Sequence, residues 1–231
     1  MKTNNITSIT CYIIKIMNNI HKDIINFSVD ITEHYKTNSN NKKELIEKWS
    51  NIVSKVKSTN IIPIIRLSSS ISKMFDIQFL LGLLISYVST LPGYIILFSQ
   101  EPFVLKLDMS SNSNILEQIN ILLSLRTEIY HYKTINLEKT YEQFLKIIED
   151  KDYRMLIIAN GNFDDKTLVD RNKDTIFNHQ IIFWNIQSKV PSITINNNVI
   201  IVKAYTSNLL SHILSNDYDS LKDDEVMNVF W

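Results

Sequence analysis

Glycine, proline and cysteine are scarce in this sequence, with 3, 4 and 1 residues among 231. A chain of this length ordinarily holds about 16 glycines, at ~7% usage. So few glycines exclude folds and sites built on glycine-rich loops, and neither a Walker phosphate loop nor a Rossmann G-x-G-x-x-G turn occurs. Cys11 stands alone, so there is no internal disulfide, zinc ribbon or thiolate cluster, and a reducing compartment is expected. Excess charge of either sign is also missing. Lys+Arg and Asp+Glu both number 24 and the pI is near 7.0, which removes the electrostatic footprint of a nucleic-acid binder. Isoleucine (38) and asparagine (25) are abundant instead. Ile, Asn and Lys have AT-rich codons, so the composition reads as an AT-rich genome's spelling of an ordinary fold. At 45% hydrophobic and 21% charged residues the chain is too apolar to be disordered. Its length suits one large domain, or one domain with a short extension.

Leaders and membrane spans are not expected either. Near the start, the apolar patch Cys11–Ile14 is broken by Lys15 and flanked by Asn, without the clean apolar core and cleavage site of a signal peptide. Ile77 to Phe98 runs without a charged side chain, but Pro92-Gly93 splits it and Gln78, Ser86, Ser89 and Thr90 dilute it. A helix, a turn and a buried strand explain it better than a span of ~20 continuous apolar residues.

Five short apolar runs stand out: Ile61–Ile65, Tyr94–Phe98, Met155–Ala159, Gln180–Trp184 and Val199–Val202. Such β-branched runs, apolar on both faces, suit parallel strands covered by helices on both sides. Pro63 is awkward in a central strand because it removes a ladder donor, which places it before the pairing is complete. Val104–Leu107, after Pro102, predicts a short edge strand hairpinned to the run at Tyr94. Between the runs, helical periodicity marks Lys43–Lys57, with Asn41 and Glu44 as a capping signal. Phe75–Tyr87 predicts a buried helix, and Ile115–Leu125, Leu137–Ile148 and Thr206–Leu214 predict three more. The alternation gives an α/β, doubly wound architecture with one mixed edge. Residues 1–42 lie outside that alternation. Ile13, Ile16, Met17, Ile20, Ile24 and Phe27 predict an amphipathic helical arm, packing on the domain or on a partner, and 36–42 a polar linker. The domain proper is 43–231.

Several segments, in order, resemble the DUF2828 family. Trp49–Ser72 and Leu81–Ser86 (LGLLIS) are similar to its DVSGSM and LGLLVS stretches, and Ile96–Pro102 (ILFSQEP) to its FSENP. Ile157–Asp164 resembles VFSDMEFD, Ile182–Asn185 (IFWN) resembles VFWNL, Val202–Leu210 resembles LVSGFSKNLL, and Glu225–Met227 resembles its closing segment. The resemblance covers roughly 44–231 and implies a three-layer, Rossmann-like von Willebrand factor A-type domain. Its sheet is mostly parallel with an antiparallel edge strand. It also implies a crevice at the carboxyl ends of the strands, where such domains hold Mg²⁺ with Asp-x-Ser-x-Ser, a Thr and an Asp. The family and the AT-rich spelling together imply a large cytoplasmic DNA virus as source, and hence host cytoplasm or virion as compartment.

Carried over residue by residue, the ion site mostly fails. In the first loop Ser68 and Ser70 keep the hydroxyls, but Arg66 stands where the Asp belongs. In the second, Ile135 and Asn136 fall at the Thr and Asp positions and Thr134 is one residue out of phase. In the third, Asn160 replaces the Asp. Neutral oxygens beside a fixed positive charge do not hold Mg²⁺, so neither metal nor cofactor is expected. The family's DVSGSM glycine corresponds to Ser69, and its SGFS glycine is assigned to Tyr205. Arg66 has two readings. It takes a partner's carboxylate in a bidentate pair where the ion would sit, or it pairs internally with an acid such as Asp164 or points to solvent. The second carries more weight, because surface arginines usually contribute little.

Other chemistry is weak. His21, His34, His131, His179 and His212 show no ligand spacing. A Ser68 or Ser70 nucleophile with His131 as base has no spacing rule behind it. Asn185 follows Trp184 at a strand's carboxyl end, near the crevice rim, where a turn-making bond to backbone is the commoner role. Trp184 itself reads as core. The acidic stretches 149–152 and 217–225 read as solvated turns and tail, and Phe230-Trp231 as tucked under the domain. The leading expectation is a non-enzymatic protein-interaction or scaffolding module with a lost ion site, a protein partner, no membrane and an open oligomeric state. The alternatives are a ribonucleoprotein-associated factor contacting RNA, which pI and aromatic spacing support weakly, and an uncharacterised hydrolase.

Overall fold

The computed structural model describes residues 3–37, 40–65, 77–98, 101–109, 114–129, 136–149, 151–159, 178–188, 192–196 and 198–216. In chain order these form α1 (Thr3–Thr37), α2 (Lys42–Ser54), β1 (Ile61–Ile65), α3 (Ile77–Val88), β2 (Tyr94–Leu97), β3 (Phe103–Lys106), α4 (Ile115–Ile129) and α5 (Leu137–Ile148). There follow β4 (Arg154–Ala159), β5 (Ile181–Asn185), β6 (Ser192–Asn196), β7 (Val199–Lys203) and α6 (Ser207–Ser215). The strands make one seven-stranded sheet in the order β3-β2-β1-β4-β5-β7-β6. Its five inner strands are parallel, and β3 and β6 run antiparallel at the two edges. This is the expected α/β, three-layer Rossmann-like arrangement.

Each inner strand is apolar on both sides because each side has its own core. Ile61, Ile65, Ile95, Leu97, Leu156, Ile158, Ile182, Trp184, Ile200 and Val202 pack under α1, α2, α3, α4 and α6. The alternate residues Ile62, Ile64, Ile96, Met155, Ile157, Ile181, Phe183 and Ile201 pack with Phe144 and Ile148 of α5. A one-residue slip would exchange the two sets, so these cores also hold the register. Pro63 lies in the β1–β4 ladder opposite Leu156. On the β2 side pairing begins only at Ile64, opposite Ile96, which reconciles a proline with a central strand.

The run Ile77–Phe98 resolves as expected into α3, a turn at Pro92-Gly93 and β2. Among the described residues no helix is long and apolar enough to cross a membrane. Two elements exceed the expectation. Helix α1 spans 35 residues, about 52 Å at 1.5 Å per residue. It buries Ile20, Ile24, Phe27 and Ile31 in the larger core, and Asp23–Lys55 and Asp30–Lys48 pairs tie it to the α2 segment. Strand β6 adds a second antiparallel edge. Asn41 occupies the N-cap position of α2 but makes no side-chain cap bond; its Oδ1 lies 2.7 Å from His34 Nδ1.

Candidate functional site

The sheet order reverses between β1 and β4, which are adjacent although most of the chain between Ile65 and Arg154 separates them. In doubly wound sheets that reversal opens a crevice beyond the carboxyl ends of the strands. The chain leaves β1 after Ile65 and β4 after Ala159, with Ile65 opposite Ile158, so the segments beginning at Arg66 and Asn160 start from neighbouring strands. Arg66, Ser68, Ser69, Ser70, Thr134 and Asn160 lie outside the described residues, as do His131, Asp164, the 217–225 tail and Phe230-Trp231.

Asn136 and Asn185 are described, and both stand at this edge. Asn185 ends β5 opposite Ala159. Its Oδ1 accepts from the Gln187 backbone N–H at 3.2 Å, the local turn bond common for asparagine. Asn136 is the N-cap of α5 and accepts from the Lys139 N–H at 3.0 Å, satisfying one of the helix's orphan donors. Lys139, one turn further on, pairs with Glu101 in the β2–β3 connection, which brings the α5 start to the carboxyl end of β2. Among the described residues, then, the edge has two amide oxygens engaged by backbone and a carboxylate paired with an ammonium. These three groups alone do not make a site for a hard cation, which needs several oxygens at 2.0–2.6 Å with net negative charge. Among the described residues, no group of three or more His, Cys, Asp or Glu is placed to hold a metal.

Three contacts at this edge were not visible in the sequence. Gln78, in the first turn of α3, is buried and donates from Nε2 to the Ile158 carbonyl at 2.7 Å, tying the start of α3 to the end of β4. Gly82, one turn later, lets α3 approach β1: a Cβ there would stand 2.6 Å from Ile65 Cγ2. At the far side, Trp184 donates from Nε1 to the Ala204 carbonyl at 2.7 Å, and the Ala204 N–H donates to the Asn185 carbonyl at 2.9 Å. Ala204 has φ of 74°, a left-handed conformation that favours glycine. The glycine-like position of this corner is thus Ala204, one residue before the Tyr205 inferred from the sequence. No local pattern announces these contacts, because their partners lie 80, 17 and 20 residues away.

The fold defines a Rossmann-like α/β protein with a topological switch point between β1 and β4. Compared with known proteins, no family model matches the chain, and no curated protein or solved structure matches it.

Proposed function

We propose that the chain is a non-enzymatic protein-interaction or scaffolding module of the von Willebrand A-like, DUF2828 type, whose ion site has been lost. The observation that carries this reading is the reversal of strand order between β1 and β4. It sets the segments bearing Arg66–Ser70 and Asn160 to leave from adjacent strands, where a doubly wound sheet binds its ligand. The engaged oxygens of Asn136 and Asn185 support the loss of the ion. Internal pairing or solvent remains the weightier reading of Arg66, and Arg66→Ala decides whether its guanidinium instead receives a partner's carboxylate where the ion would sit.

Ion loss has a direct consequence: melting in millimolar Mg²⁺ or Mn²⁺ and melting in EDTA give the same Tm. A rise of several degrees with the metals would restore the adhesion-site reading, since a ligand that binds only the folded chain raises its stability. The interaction reading is tested by crosslinking and mass spectrometry in cells that express the chain. The expected result is one recurrent protein, crosslinked near the carboxyl edge through Lys139 or Lys203, and lost with Arg66→Ala while the Tm stays unchanged. Salt-dependent retention on RNA with no such protein would replace this reading by the ribonucleoprotein one.

A further inference from the structure

Helix α1 meets the corner after β7 through a histidine. The His21 ring lies 4.3 Å from the Tyr205 ring, centroid to centroid, tilted by 44°, and Tyr205 packs 5.6 Å from Trp184. His21 Nε2 is shielded from solvent and makes no hydrogen bond, and the Tyr205 hydroxyl is in the same state. Burial pushes the His21 pKa below its usual value. A hydrogen bond to the Tyr205 backbone works against that shift, and the Lys22 charge adds to it.

The elements packed against α1 bring little compensating charge to this end. Helix α3 carries only Tyr87 as a titratable residue, and α6 only His212. Helix α2 carries Lys42, Lys43, Glu44, Glu47 and Lys48; Glu44 is paired with Lys48 at 2.7 Å and Glu47 with Lys43 at 3.9 Å. Just beyond α2, Lys55 holds Asp23, the acid nearest to His21 in α1, at 2.8 Å. Strand β7 ends at Lys203, and burial raises the pKa of Tyr205. Among the described residues, then, His21 faces neighbours that are neutral, basic or already paired.

We propose that His21 is a proton-operated latch. In its neutral form it packs α1 onto the β7–α6 corner; protonated, it carries a charge into a site where no described residue is a free acid placed to receive it, and α1 loosens there. This goes beyond the interaction reading and does not depend on it. Released α1 binds a proton near pH 6.5, whereas docked α1 binds it only at lower pH. Docking is therefore at full strength above 6.5, weakens as pH falls from 6.5 toward the docked value, and levels off below that.

The test is amide hydrogen exchange on the whole chain at pH 7.5 and 5.0, corrected for the intrinsic pH dependence of exchange. Protection over Ile20–Ile31 is expected to fall selectively, by up to about 30-fold, the ceiling for a group titrating near 6.5 when released. His21→Phe removes the fall and His34→Gln keeps it. An equal fall in His21→Phe, its loss in His34→Gln, or unchanged protection in the wild-type chain overturns the latch. In case His21→Phe fails to dock α1 at all, titration of the His21 C2 proton in the unmodified chain is read independently. A midpoint below 6.5 supports the latch, and one at or above 6.5 overturns it.

Discussion

Trp184→Ala lowers unfolding stability by about 3–5 kcal/mol, the usual cost of truncating a large buried aromatic. The indole is fully buried in β5 and lies in the larger core with Ile158, Ile182, Val202 and Leu210. Two losses combine. The cavity forfeits apolar burial and packing, and the Ala204 carbonyl loses the Nε1 donor that it meets at 2.7 Å. That carbonyl belongs to the residue at φ 74°, which costs about 1–2 kcal/mol for a non-glycine and persists only while its surroundings hold it. Trp184→Phe separates the two losses: most of the ring volume returns but the donor does not. Leaving a buried carbonyl unpaired costs about 1–3 kcal/mol, so the phenylalanine variant should fall between wild type and alanine in urea unfolding followed by far-UV circular dichroism. If it matches wild type within 0.5 kcal/mol, the Trp184–Ala204 bond contributes nothing and the account of this corner is wrong.

Trp184 also marks where the sequence is informative and where it is silent. Its burial was legible because IIFWN is apolar on both faces between polar neighbours, a pattern that few settings other than an inner strand satisfy. All five inner strands were legible for that reason, and so was β3, through its proline and its distance from Tyr94. Strand β6 was not. Ser192–Asn196 alternates polar and apolar residues at an outer edge, where Thr194 and Ile195 remain exposed, and such a segment reads equally well as a loop. Helix α1 was underestimated because its ends are rich in Asn and Thr, weak helix formers. Among its described side chains, Ile20, Ile24, Phe27 and Ile31 form a buried stripe, the tertiary packing from which most helical stability comes.

The candidate site divides along the same line. Loop residues could be proposed from the resemblance, since hydroxyl, amide and guanidinium chemistry is carried by residue type. The supports beneath them could not. Gln78 read as a polar blemish in an apolar helix, yet it joins α3 to the Ile158 carbonyl. His21 read as a scattered histidine, yet its ring packs, tilted, against a tyrosine 184 residues away. Backbone conformation is likewise hidden when the residue adopting it is alanine. The left-handed corner at Ala204 has no glycine to advertise it, in a chain that retains only 3.

That scarcity makes the glycines that remain informative, and Gly93→Ala is expected to cost about 2–4 kcal/mol. Gly93 has φ of 88°, where an L side chain is strained by about 1–2 kcal/mol. A Cβ there would also stand 2.6 Å from the Leu107 carbonyl oxygen and 3.3 Å from Met109 Cγ. The first neighbour is backbone and cannot swing aside. Leu107 is fixed because its N–H donates to the Gly93 carbonyl at 2.8 Å, while the Gly93 N–H donates to the Ser86 carbonyl at 3.1 Å. Relieving the clash would therefore open the clamp joining the end of α3, the start of β2 and the end of β3. Opposing this, alanine restricts the unfolded chain and returns only about 0.4–1 kcal/mol. At about 2–4 °C per kcal/mol for a chain of this size, the Tm should drop by about 5–15 °C. Gly82→Ala provides the internal comparison. Its Cβ would meet Ile65 Cγ2, a side-chain atom, at 2.6 Å, and alanine gains about 1 kcal/mol of helix propensity there, so its loss should be the smaller. Equal losses at the two positions would mean that the positive φ at Gly93 carries no cost. The turn after Pro92 would then owe its shape to the packing of α3 against β2 rather than to glycine.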